Sequence, residues 1–168
     1  MALHHDLLRQ ARHLATNEPR KPKQASLRRA ISAAYYALFH LLIAEAASRF
    51  ITGQGREDIR EGLSRAFDHG SMKKAAVETV KPRWGRMRQL NSIPVPADLI
   101  TVATAFVDLQ QARHEADYDV ARTFTRAETM ALIDQTDEAM VVWNTLRRTI
   151  PADAFLSSLI AFAGMCRG

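Results

Sequence analysis

Apolar side chains recur along this chain at the three-and-four spacing of helices and almost nowhere at the alternate spacing of strands. Leu7, Leu8, Ala11, Leu14 and Ala15 mark one side of a first helix over Leu3 to Thr16. Pro19 and Pro22 follow it, and the basic stretch around them reads as a loop, because proline lacks an amide proton and restricts its predecessor. Helix resumes from about Leu27 to Phe50, with Ser26 as its candidate N-cap. Ile31, Ala34, Tyr35, Leu38, Leu42, Ala46 and Phe50 form its buried stripe, and Phe39 and Leu41 widen it, so this helix is expected to be central. Thr52-Gly53-Gln54-Gly55 ends it.

Beyond it, Ile59, Leu63 and Phe67 stand in register on an amphipathic helix from Arg56 to Phe67. Asp68 to Ser71 reads as a turn, with Ser71 or a neighbour capping a helix from Met72 to Val80. Lys81 to Pro96 shows no period and holds four proline or glycine breakers, so it reads as a loop. A helix near Ala97 follows, with Leu99, Val102, Ala103, Phe106, Leu109 and Gln110 inward and the same stripe running on into Arg113 and Asp117. Thr125 with Glu128 makes a capping box for a long helix to about Thr149, whose core side runs through Leu132, Ala139, Met140, Trp143, Leu146 and Ile150. A short apolar helix from Pro151 through Phe162 closes the pattern. Together these predict an all-α antiparallel bundle of four to five main helices in one domain over 1–168, with its core at about 24–149 and short flanking helices at 1–16 and 151–163.

Composition narrows this only a little. An apolar share of 47% excludes disorder as the main state. Cys166 stands alone, so no internal disulfide is available. The start, Met1 to Asp6, lacks the basic and apolar regions of a signal peptide, and the longest apolar run, Ala33 to Ala47, is broken by His40 and Glu45 and falls short of a membrane span. A cytoplasmic protein with no membrane partner is expected.

Charge changes the picture more, because it is uneven. Residues 1–30 carry seven Lys or Arg against two acids, 53–90 carry nine against five, and 98–139 carry three against nine. A basic half suits phosphates, and an acidic half suits the basic half of a second copy. Arg20, Lys21, Lys23, Lys73, Lys74, Arg83, Arg86 and Arg88 are the cations available for a polyanion. There is no glycine-rich phosphate loop. No two of the six histidines form a spaced pair on one helix with carboxylates nearby, so neither a metal nor another cofactor is expected.

Two stretches carry a resemblance. Arg28 to His40 contains Ser32-x-x-Tyr35-Tyr36-Ala37-x-Phe39-His40, and much later Arg113-His114-Glu115-Ala116-Asp117-Tyr118 reads R-x-x-x-D-Y. With Ala66 to Gly70 between them, these motifs resemble the HEPN superfamily over about residues 24–149. The resemblance implies a helical bundle, usually paired as a homodimer, whose members include RNA-cleaving toxins and non-catalytic modules that bind nucleotides, RNA or a protein partner. The superfamily's nuclease motif is an Arg, an adjacent polar residue and a His four to six residues after the Arg. Arg113 and His114 match the first two, but Tyr118 stands where the His would be.

A tyrosine hydroxyl, with an ordinary pKa near 10, is a poor base for activating a ribose hydroxyl at pH 7. The resemblance therefore favours a binding module of the HEPN type. The alternatives are a metal-independent, toxin-like ribonuclease using Arg113 and a relocated histidine, or a structural dimer. Arg113, His114 and Tyr118 are the catalytic candidates, with Asp117, Tyr36, His40 and His69 as binding candidates. Arg113 and Asp117 lie four apart on one helical face, where an exposed ion pair contributes about 0.3–0.5 kcal/mol. Because Arg113 extends an apolar stripe, it is expected at a buried seam and near the dimer interface.

Overall fold

In the computed structural model, which describes residues 2–166, 76% of the described residues are helical and no strand occurs among them. Among the described residues seven helices follow in order: α1 Leu3–Thr16, α2 Gln24–Phe50, α3 Glu57–Ser64, α4 His69–Thr79, α5 Ala97–Tyr118, α6 Arg126–Leu146 and α7 Ile150–Met165. Two 3₁₀ turns, Pro82–Trp84 and Arg88–Leu90, punctuate the segment between α4 and α5.

Side-chain contacts fix how the helices run. Arg28 at the start of α2 donates to the Ala116 carbonyl at the end of α5 (2.7 Å), so these two are antiparallel. Gln135, midway along α6, donates to Asp108, midway along α5 (2.9 Å). Arg126 at the start of α6 donates to the Ala15 carbonyl at the end of α1 (3.1 Å), while Arg12 grips Asp134 and Asp137 further along α6. The helices α1, α2, α5 and α6 thus close an up-down-up-down ring, with α2 and α6 also touching across it.

Burial explains this arrangement. Leu27, Ala30, Ile31, Ala34, Tyr35, Leu38 and Leu42 on α2 are fully buried. The helix is apolar on nearly every side because α1, α3, α5, α6 and α7 all touch it. By length and composition α2 is long and apolar enough to cross a membrane, which the run from Ala33 to Ala47 did not suggest, but 78% of its most apolar window is packed inside the protein.

The first helix does not flank the core; it is one of the four ring helices. Its inner residues Ala11 and Ala15 are fully buried and small enough to allow close approach. The last helix likewise belongs to the core: Phe155, Leu156 and Leu159 are fully buried in the main cluster, and Phe155 lies beside Trp143 at 6.3 Å.

Helix starts differ from expectation where a side chain chose another partner. Ser26 does not cap α2; its hydroxyl donates to Glu18 at 2.8 Å, and the helix begins at Gln24. Asp68 caps α4 by accepting from the Ser71 amide (2.9 Å), which brings His69 into the first turn. The helix α3 is shorter than its apolar register: Ile59 is exposed, and Phe67 is buried only after the helix has ended. Leu132 is only half-buried. The capping box of Thr125 and Glu128 forms as expected.

Candidate functional site

Antiparallel packing of α2 against α5 sets one face of α2, Ala25, Arg28, Arg29, Ser32 and Tyr36, opposite Arg113, Ala116, Asp117 and Tyr118. Between them runs an open groove of about 490 Å³. Its two α2 arginines are adjacent in sequence yet do different work. Arg28 reaches the carbonyls of Ala116 (2.7 Å) and Asp119 (2.9 Å) and that of Arg122, so its charge is spent on the C-terminus of α5. Arg29, one residue on and turned by a helical step, is exposed and pairs with no described residue. A second hollow of about 350 Å³, walled by Leu7, Gln10 and Leu14 of α1, shares Arg29, Ser32 and Tyr36 with the first.

The floor of the groove is a polar network. Arg113 Nε lies 2.7 Å from Asp117 Oδ2, a close ion pair whose N–H is not aligned for a hydrogen bond. The Ser32 hydroxyl donates to the other Asp117 oxygen at 2.7 Å. Arg113 also donates to the Tyr36 hydroxyl at 3.2 Å, and its guanidinium sits 5.6 Å from the Tyr36 ring and 5.7 Å from that of Tyr118. The side chains of Arg113 and Asp117 are 16% and 24% exposed, so the pair lies at the expected seam. Burial works against the Arg113 charge, but Tyr36, Asp117 and Tyr118 outweigh it and hold the group above its ordinary pKa.

Arg113, Asp117, Tyr118 and Tyr36 therefore meet in one place. His40, His69 and His114 do not join them in lining the groove. His114 is exposed and packs its ring 5.1 Å from that of Tyr118. His69 lies behind Tyr36, stacked on Phe39 at 4.4 Å, with its Nδ1 2.6 Å from the Tyr35 hydroxyl. Burial, and then the Arg113 charge, push the His69 pKa down, with Asp68 opposing. Burial lowers His40, whose ring stacks on Tyr36 at 6.0 Å, and raises the Tyr35 hydroxyl well above its usual range. These groups form a neutral aromatic layer that supports Tyr36 from behind.

Sequence reasoning passed over Arg28, Arg29 and Ser32 as site residues. Their three-and-four spacing from Tyr36 was the available signal. Among the described residues, no group of three or more His, Cys, Asp or Glu could hold a metal ion. No family model, curated protein or solved structure matches this chain, so the site is read from its own residues.

Proposed function

We propose that this protein is a HEPN-like module that binds single-stranded RNA, or a nucleotide unit of it, in the groove between α2 and α5, without cleaving it. The observation that carries this reading is Arg29: a guanidinium with no partner among the described residues, on the same groove as the aromatic faces of Tyr36 and Tyr118. Phosphates take charge-assisted hydrogen bonds from arginine, and bases stack on aromatic rings, so this pairing suits a nucleotide. The basic loop bearing Arg20, Lys21 and Lys23 leads into the start of α2 and extends the positive surface. Lys73 of α4 does not line the groove and is engaged by Gln111 on α5 at 3.0 Å. Arg86 is withdrawn from the set, since it pairs with the buried Glu78.

Catalysis is disfavoured because cleavage at a 2′-hydroxyl needs a base within reach, and no imidazole lines the groove. Tyr118, which lines the groove, is 64% exposed, and Val120, two residues on, is 94% exposed. Their exposure supports pairing of two copies along the α5 end, as the HEPN resemblance implies. Incubating the pure protein with RNA in EDTA tests the non-catalytic reading. Intact RNA together with measurable, salt-sensitive binding is expected, whereas cleavage would establish a metal-free nuclease instead.

A further inference from the structure

At the opposite end of α5, thirteen residues and so about 20 Å from Arg113, lies a separate hollow of about 540 Å³. Its walls are Val80 from the end of α4, Pro82, Ile93 and Val95 from the connecting segment, and Ile100 from α5. Val80 and Ile100 are 37% and 39% exposed, which is unusual for apolar side chains facing one cavity. Lys81 and Arg83 stand at its rim with Asn91, and no acidic residue lines it. Lys81 is neutralised by Glu78 at 2.8 Å, but Arg83 has no partner among the described residues.

The backbone that presents Arg83 is held in a costly shape. Arg83, Trp84 and Gly85 take φ of 53°, 59° and 54° in succession, where only the glycine is at ease. Packing enforces this. Trp84 is fully buried and its indole N–H donates to the Ile93 carbonyl at 2.9 Å. The buried Glu78 carboxylate accepts from the Arg86 amide at 2.7 Å, and a Cβ on Gly85 would stand 2.1 Å from Glu78 Oε2. The result is a largely apolar hollow on a tightly held backbone, with the exposed and, among the described residues, unneutralised Arg83 at its edge. Sites of this size that pair apolar walls with a few placed polar groups suit small ligands, and strain retained at such a place has a use.

We propose that this hollow binds a small organic monocarboxylate with an apolar body. Arg83 and the Asn91 amide hold the carboxylate, and Val80, Ile93 and Ile100 cover the body. The site is independent of the RNA groove.

Titrating octanoate into the full chain, by calorimetry and by amide NMR, tests the proposal, with octanamide supplying the body without the charge and acetate the charge without the body. Octanoate is expected to bind one site and shift the amides of residues 80, 81, 83, 91–93 and 95, with both controls weaker by about tenfold or more. Arg83→Gly removes the cation and suits the positive φ, so it should melt no lower than wild type while binding octanoate about tenfold more weakly. Arg83→Asn, which also tolerates this backbone, checks the loss in a second fold-compatible background. No saturable octanoate binding, equal binding of octanamide, shifts confined to other segments, or undiminished affinity in both variants would overturn the assignment.

Discussion

Arg113 meets a carboxylate, a phenol and two aromatic faces at once, and its removal should be felt in the fold. Arg113→Ala leaves Asp117 with only the Ser32 hydroxyl in a place about three-quarters shielded from water. A cost of about 1–3 kcal/mol is expected, less than for a fully buried pair because some solvent reaches both partners. Denaturant melts of the variant check it, and an unchanged midpoint would mean that the pair contributes no more than a surface contact. The Arg113–Asp117 contact was legible in the four-residue spacing and the seam in the apolar stripe that Arg113 extends. The difference between Arg28 and Arg29 was not legible. Both are arginines on one turn, and only the position of the α5 C-terminus decides which is consumed and which stays free.

Among the elements, α6 begins with the most complete local device. Thr125 accepts from the Glu128 amide (3.1 Å), and Glu128 accepts from the Thr125 amide (2.8 Å) and pairs with Arg122 (3.0 Å). The Thr125 amide and hydroxyl, followed by Arg122, pull the Glu128 carboxyl down to about 2 from an ordinary 4.5. Its folded pKa is depressed, so its contribution is complete above pH 4.5 and drains away as pH falls towards 2. Glu128→Gln keeps a hydrogen-bonding cap but cannot titrate, so its thermal midpoint should fall less steeply than wild type between these pH values. Parallel slopes would show that the carboxylate gains nothing from folding. This box was readable because its two members, Thr125 and Glu128, lie within four residues. The cap of α4 was misplaced, since Asp68, Ser71 and a glycine offer competing starts within four positions. The missed cap of α2 has a different cause: Ser26 finds Glu18 across a loop, which no local rule anticipates.

For the whole molecule, the all-helical class was legible from periodicity, but the membership of the core was not. The first helix reads as peripheral because its inner face ends in alanines, which carry little hydrophobic signal yet allow the closest packing. Ala15→Leu should therefore destabilise the bundle by about 1–3 kcal/mol through overpacking, measurable by denaturant melts; a neutral result would contradict a tightly seated α1. The charge asymmetry is likewise resolved only in three dimensions. Arg12, Arg28, Arg86 and Arg126 are absorbed by internal partners, while Arg29 stands over the groove with no partner among the described residues. That free charge is the centre of the account. The most direct measurement is the affinity of end-labelled single-stranded RNA for wild type and Arg29→Ala, by fluorescence anisotropy across a series of salt concentrations. With roughly four phosphates neutralised, log K should fall against log salt with a slope near −3 in wild type, and Arg29→Ala should be shallower by about 0.7 with an unchanged melting temperature. Wild-type protein that does not bind, or Arg29→Ala that keeps the wild-type affinity and slope, would contradict the assignment of the α2–α5 groove to RNA.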